Sequence, residues 1–356
     1  MVITSDAVLK ALAHVEDPDL KKDLVTLGMI KDLAIDGLKV SFKVELTTPA
    51  CPMKDFIYNA CVNAVKYMVS QEAEVHIEMT SRVTSNRMDR STLPGVKNII
   101  AVASGKGGVG KSTISSNLAL ALAANGAKVG LLDADIYGPS LPTMFGINDQ
   151  IPEMKEEGER KIMLPIERMG IKIMSVGLLV EPGQAIVWRG PMISSALRQL
   201  INDVDWGELD YLIIDLPPGT GDIQLTLCQN FPLTGVVLVT TPQQVALDDA
   251  QKAAAMFRIP AINIPIFGVV ENMAYFTPPE LPNNKYYIFG QGGGQKLADQ
   301  FDIPLLASIP ISITVSEGGD AGKPAMLSNN SLMKETMMQM AGEVARRVAM
   351  LNDMNK

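Results

Sequence analysis

The chain has 356 residues, 47% of them hydrophobic and 20% charged, which leaves room for two domains and a sizeable core and excludes a disulfide miniprotein or a charge-rich disordered chain. Lys and Arg total 31 against 39 Asp and Glu, a net charge of −8, so no global pull toward phosphate backbones or anionic membranes is expected, and neither nucleic acid nor stable membrane association. The three cysteines, Cys51, Cys61 and Cys228, form a sparse odd set, residues 1–20 carry early acids without a long apolar run, and nothing reaches the roughly 18 apolar residues that cross a bilayer, so a cytoplasmic location is expected.

In chain order, the first segment carries four periodic stretches. Helical spacing runs from Ala7 to His14, strict alternation from Leu38 to Leu46, helical spacing from Met53 to Met68, and a strand-like run from Val75 to Met79. Residues 1–85 are therefore predicted as a small α+β domain. On the second helix Cys61 shares an apolar face with Ile57, Ala64 and Met68 and reads as a core residue, as does Cys228 beside Leu225 and Leu227. Cys51 sits between Ala50 and Pro52 in the turn leading into that helix. There helix N–H groups can lower a thiol's pKa, and a buried inert cysteine is the alternative. His14 and His76 match no metal spacing. Ser81 to Gly95 is polar, lacks an apolar period and ends in Pro94-Gly95, which predicts a linker over 86–97 before a second domain, 98–356.

In that second domain, apolar runs alternate with helical segments: Ile99–Ala103, Val129–Leu132, Ile171–Val176, Tyr211–Ile214, Val236–Val239 and Ile266–Val270. Runs apolar on both faces predict an α/β domain with a mostly parallel sheet covered by helices on both sides. Phe289 to Gly294 reads as a turn before a helix. From Ser331 to Met350 a helix places Met333, Met337, Met340, Val344 and Val348 on one face. Its polar side mixes Lys334, Glu335, Glu343, Arg346 and Arg347, so a packing helix is favoured over a membrane-surface one.

The strongest chemical signal lies between the first of these runs and the helical segment Ile114–Ala124. It reads Ser104-Gly105-Lys106-Gly107-Gly108-Val109-Gly110-Lys111-Ser112-Thr113, a strand, loop and helix in the order a P-loop NTPase requires. The glycines let successive N–H groups converge on a phosphate at the helix N-terminus. Lys111 would contact the β- and γ-phosphates of ATP, and the Ser112 hydroxyl would coordinate Mg²⁺. Two further runs end in acids: Val129–Leu132 leads into Asp133-Ala134-Asp135, and Tyr211–Ile214 into Asp215 and then 216–222. Strand carboxyl ends are where open α/β sheets bind ligands. Asp215 is expected to hold a Mg²⁺-bound water and Asp135 to orient the attacking water, while Asp133 and Asp222 read as strand-end or helix N-cap residues.

The form GKGGVGKST, with Lys106 as a second lysine, resembles the deviant Walker A loop of the MinD, ParA and arsenite-pump superfamily. That resemblance implies a homodimer in which Lys106 reaches the partner's nucleotide; a solvated loop lysine is the alternative. With Asp133 to Ser140, Asp215 to Asp222, Val270-Glu271-Asn272-Met273 and Ser316 to Pro324, nearly the whole chain resembles the Mrp/ApbC family of iron-sulfur cluster carrier ATPases. Glu16 to Leu20 and Thr47 to Pro52 resemble the small iron-sulfur assembly domain that precedes it in many bacterial members. The resemblance implies slow ATP hydrolysis, an adenine contact from Asn272, and iron-sulfur apoproteins or assembly factors as partners. It also implies a Cys-x-x-Cys after Glu-Asn-Met, yet Ala274 to Pro282 contains no cysteine. Cys51 is then the candidate cluster ligand, and a MinD/ParA-like or metal-free P-loop switch is the alternative function.

Overall fold

The computed structural model describes residues 3–87, 92–158, 160–179 and 190–354. They form two compact units, Met1–Asn86 with Ala345–Lys356, and Arg87–Val344.

In the first unit α1 (Ser5–Leu12) is capped by Thr4, whose hydroxyl accepts from the Ala7 N–H. A two-residue ladder, β1 (Glu16–Asp17) with β2 (Lys22–Asp23), precedes β3 (Ile30–Asp36) and β4 (Lys39–Leu46), an antiparallel pair. After β4 the chain crosses through α2 (Lys54–Met68) and returns as β5 (Glu74–Ser81), parallel to β4. Alternation in β4 turns Val40, Phe42, Val44 and Leu46 inward, against Val8 and Leu12 of α1 and Ile57, Cys61 and Val65 of α2. Met68 is not part of that stripe; it is 54% exposed, because Val65 takes the last inward position of the helix. Residues 345–354 join this unit. Arg346 pairs with Asp19, Asp353 lies 3.1 Å from Lys22, and the buried Asn352 donates to the Thr84 carbonyl.

The second unit begins with the Arg87 guanidinium, which donates to the carbonyls of Thr92, Leu93 and Val96. Leu93 is already in the core and Val96 already in a strand, so the polar stretch expected to act as a linker ends earlier than its composition indicates. In order come β6 (Val96–Ala103), α3 (Lys111–Ala124), β7 (Val129–Asp133), α4 (Leu141–Phe145), and the hairpin β8 (Met154–Glu157) with β9 (Arg160–Met163). Next are β10 (Ile166–Arg168), β11 (Ile171–Ser175), α5 (Gly190–Asn202), β12 (Leu209–Asp215), α6 (Asp222–Asn230), β13 (Gly235–Thr240) and α7 (Gln244–Arg258). The chain closes with β14 (Ile266–Glu271), α8 (Gly293–Gln300), β15 (Leu305–Ser308), α9 (Ile313–Asp320) and α10 (Ser331–Met354).

Eight strands make one sheet in the order β10-β11-β7-β12-β6-β13-β14-β15, parallel throughout except for the edge strand β10. All six apolar runs lie in its interior. Every residue of β7 and β13 is buried, the mark of a sheet covered on both faces. Met333, Met337, Met340, Val344 and Val348 of α10 are each at most 1% exposed, so α10 is a packing helix. Among the described residues no helix is long and apolar enough to cross a membrane.

Candidate nucleotide site

Strand order creates the site. β7, β12 and β6 are neighbours, and the register pairs Asp215 with both Asp133 and Val102, so three carboxyl ends deliver both acids and the loop to one place. The loop leaves β6 at Ser104 and enters α3 through Gly110, whose φ of 84° is the left-handed conformation that glycine adopts without strain. A Cβ on Gly110 would stand 2.2 Å from Asn272 Nδ2. That amide nitrogen donates instead to the Val109 carbonyl at 2.9 Å, so Asn272, at the end of β14, braces the loop. One of its amide hydrogens is thereby committed to the protein.

Beneath the loop lies a buried polar cluster. Asp215 Oδ2 accepts from Ser112 Oγ at 2.6 Å and sits 2.8 Å from Lys111 Nζ, while Oδ1 accepts from Ser115 Oγ at 2.7 Å. Lys111 also lies 3.7 Å from Asp135 Oδ2. Burial pushes the Asp135 carboxyl above its ordinary pKa, opposed by the Lys111 charge. Asp133 is fully buried, and burial followed by the nearby Asp215 charge pushes it up as well. Its oxygens accept from the N–H groups of Asp135 and Leu141 and from Ser175 Oγ, so it organises the turn into α4. Asp222 opens α6, with Gly221 in the N-cap position.

A cavity of about 890 Å³ opens over this cluster, lined by Lys106, Gly107, Gly108, Gly110, Lys111, Ser112, Thr113, Asp135 and Asn272. Apolar walls come from Met273, Phe289, Ile311 and Met337. Such a space suits a nucleotide, with phosphates on the loop and the base on the apolar side. Gly105 packs on α7 and Val109 is buried, so they shape the loop from behind. Lys106 is exposed at the cavity rim. Ser115 and Ser175 were not singled out from the sequence. Ser115 stands four residues after Lys111, on the same face of α3, and that spacing was the available signal.

The cysteines are not gathered. Cys61 and Cys228 are buried, and burial pushes both thiols up to about 12. Cys51 is half-buried. Of its two alternatives the buried one fits: burial, with Asp19 and Asp17 adding to it, pushes the thiol up to about 11 and outweighs the Met53 N–H and the Arg346 charge. Among the described residues no three His, Cys, Asp or Glu side chains form a metal-binding group.

A family model described as NUBPL iron-transfer P-loop NTPase matches residues 95–346. The chain belongs to this family. A second model, described as iron-sulfur cluster assembly protein, matches residues 5–78. The NUBPL-type chain is 47% identical to an iron-sulfur cluster carrier protein of Synechocystis, over 98% of this chain and 99% of that one. It is also 47% identical to the chloroplastic Fe-S cluster assembly factor HCF101 of Arabidopsis thaliana, over 90% of this chain and 60% of that one. Among solved structures, a nucleotide-binding protein of Archaeoglobus fulgidus in complex with ADP aligns with a TM-score of 0.57 at 39% identity, covering 68% of this chain and 93% of that one.

Proposed function

We propose that this chain is an ATP-hydrolysing carrier of iron-sulfur clusters, working in a reducing cytoplasm as a nucleotide-controlled homodimer that hands clusters to apoproteins or assembly factors. The observation that carries the nucleotide half is the buried set Lys111, Ser112 and Asp215 under a glycine loop at the floor of a nucleotide-sized cavity. Family membership and the names of the relatives carry the cluster half.

In this reading the loop N–H groups bind the phosphates and Lys111 turns from Asp215 to the β- and γ-phosphates. The Ser112 hydroxyl and the Asp215 carboxylate, 2.6 Å apart, offer the oxygen ligands that Mg²⁺ prefers. When bound, Mg²⁺ neutralises charge that develops on the phosphates. Asp135, 14% exposed and facing the cavity, orients the attacking water. Lys106, exposed at the rim, adds positive charge to the partner subunit's nucleotide. Asn272 contacts the adenine while bracing Val109.

The cluster is cargo, and the thiols do not make a closed four-thiolate cage for it. Cys51 is the one cysteine with partial exposure, so a dimer offers two such thiols, and remaining iron sites fall to oxygen or small-thiol ligands. A labile cluster follows. The test is anaerobic reconstitution with iron and sulfide, scored by absorbance, bound iron and transfer to an apoprotein with and without ATP. Wild type should bind a cluster that is readily lost, and Cys51→Ser should retain less iron. Absence of any cluster on the wild-type chain would leave the metal-free P-loop switch as the correct reading.

A further inference from the structure

Gln224 is the third residue of α6 and only 1% exposed, yet among the described residues neither its Oε1 nor its Nε2 has a hydrogen-bond partner. Buried side-chain amides are nearly always paired, so this one requires a reason. Its position supplies one. Leu227 and Cys228, three and four residues on, face the core, so Gln224 continues the inward stripe to the helix start. Helical side chains lean toward the N-terminus, which carries this amide toward Gly221 and the loop 216–221. That loop is tied to the nucleotide site: the Gly219 N–H donates to the Ser104 carbonyl at 2.9 Å, and Pro218 lines the cavity. A glutamine at this helical position can bond back to the N-cap N–H, and here it does not.

We infer that Gln224 is a positioning residue for ATP hydrolysis, its amide unpaired in the free protein and paired when the Asp215–Gly221 loop closes on the γ-phosphate. The inference rests on the nucleotide reading above and assigns the residue that couples loop closure to α6. An amide that gains its partner only in the closed state favours that state over the open one.

The test is Gln224→Met, which keeps the length and removes the amide. Free Gln224→Met should unfold at the same temperature as wild type or higher, because nothing paired is lost. Its kcat for ATP should fall by about tenfold, the worth of one net buried hydrogen bond, with KM changed less than about twofold. The extra thermal stabilisation by ATP over ADP should shrink. Lower stability of the free variant would mean the amide is already satisfied and overturns the inference, as would an unchanged kcat and ATP-over-ADP difference. A wild-type chain that neither binds nor hydrolyses ATP would remove the nucleotide reading itself; normal wild-type turnover retained by Gln224→Met removes the Gln224 role alone.

Discussion

Lys111 Nζ and Asp215 Oδ2 lie 2.8 Å apart with 6% and 0% of their side chains exposed, so the lysine assigned to phosphate is held by the acid assigned to Mg²⁺. Each buried charge has the other as its partner. ATP and Mg²⁺ arriving together would give each a new partner, whereas either alone would strand one buried charge.

Lys111→Met should therefore do more than stop turnover. It leaves the Asp215 carboxylate buried without its cation, a loss of about 3–5 kcal/mol for breaking a buried pair. Denaturant unfolding of the free protein should show that loss, and Lys111→Met with Asp215→Asn should recover most of it while remaining inactive. A single variant as stable as wild type would refute the buried pair.

Gly110→Ala combines two penalties, a left-handed φ of 84° and a contact at 2.2 Å with Asn272 Nδ2. The backbone part alone costs about 1–2 kcal/mol for an L side chain, enough for roughly tenfold in ATP affinity. Adding Asn272→Ala should remove the collision but not the backbone strain, so affinity should return only in part. Titration with a fluorescent ATP analogue reads both steps, and wild-type affinity in Gly110→Ala would contradict the loop geometry.

Lys106 is exposed while Lys111 is buried, which fits one lysine acting on the partner's site and the other on its own. Mixing Lys106→Ala chains with Lys111→Ala chains should restore part of the ATPase activity absent from each alone, because one composite site then carries both lysines. Heterodimers that form and stay inactive would assign Lys106 to its own subunit.

With its thiol pushed up to about 11, Cys51 holds little thiolate at neutral pH. Alkylation by iodoacetamide should be slow at pH 7 and rise roughly tenfold per pH unit toward pH 10, since each unit below the pKa multiplies the thiolate fraction by ten. Asp19→Asn removes a charge that raises this pKa and should speed the reaction at fixed pH. A rate already at its plateau by pH 8 would show that helix N–H groups outweigh burial after all.

The elements legible in the sequence share a property: their signal is contiguous. Six sheet strands, α2, α3 and α10 announce themselves through runs or periods long enough to count, and GKGGVGKST carries its chemistry in nine consecutive residues. β10 and β15, of three and four residues, are too short and too partly exposed to show a period, and β3 has an irregular burial pattern across a register shift.

By itself the sequence determined the α/β class, the phosphate loop and the two acids that follow strands, because backbone freedom at glycine and side-chain period are local properties of the chain. Only the tertiary structure decided what those residues do to one another. Asp215 lies more than a hundred positions from Lys111 and reaches it because β12 inserts between β6 and β7, an order that no local pattern encodes. Cys51 lies in the turn ahead of α2, as its neighbours Ala50 and Pro52 indicate, but the depth of burial and the Asp17 and Asp19 charges around it set its thiol, and desolvation is a property of everything packed nearby rather than of the turn that carries the residue.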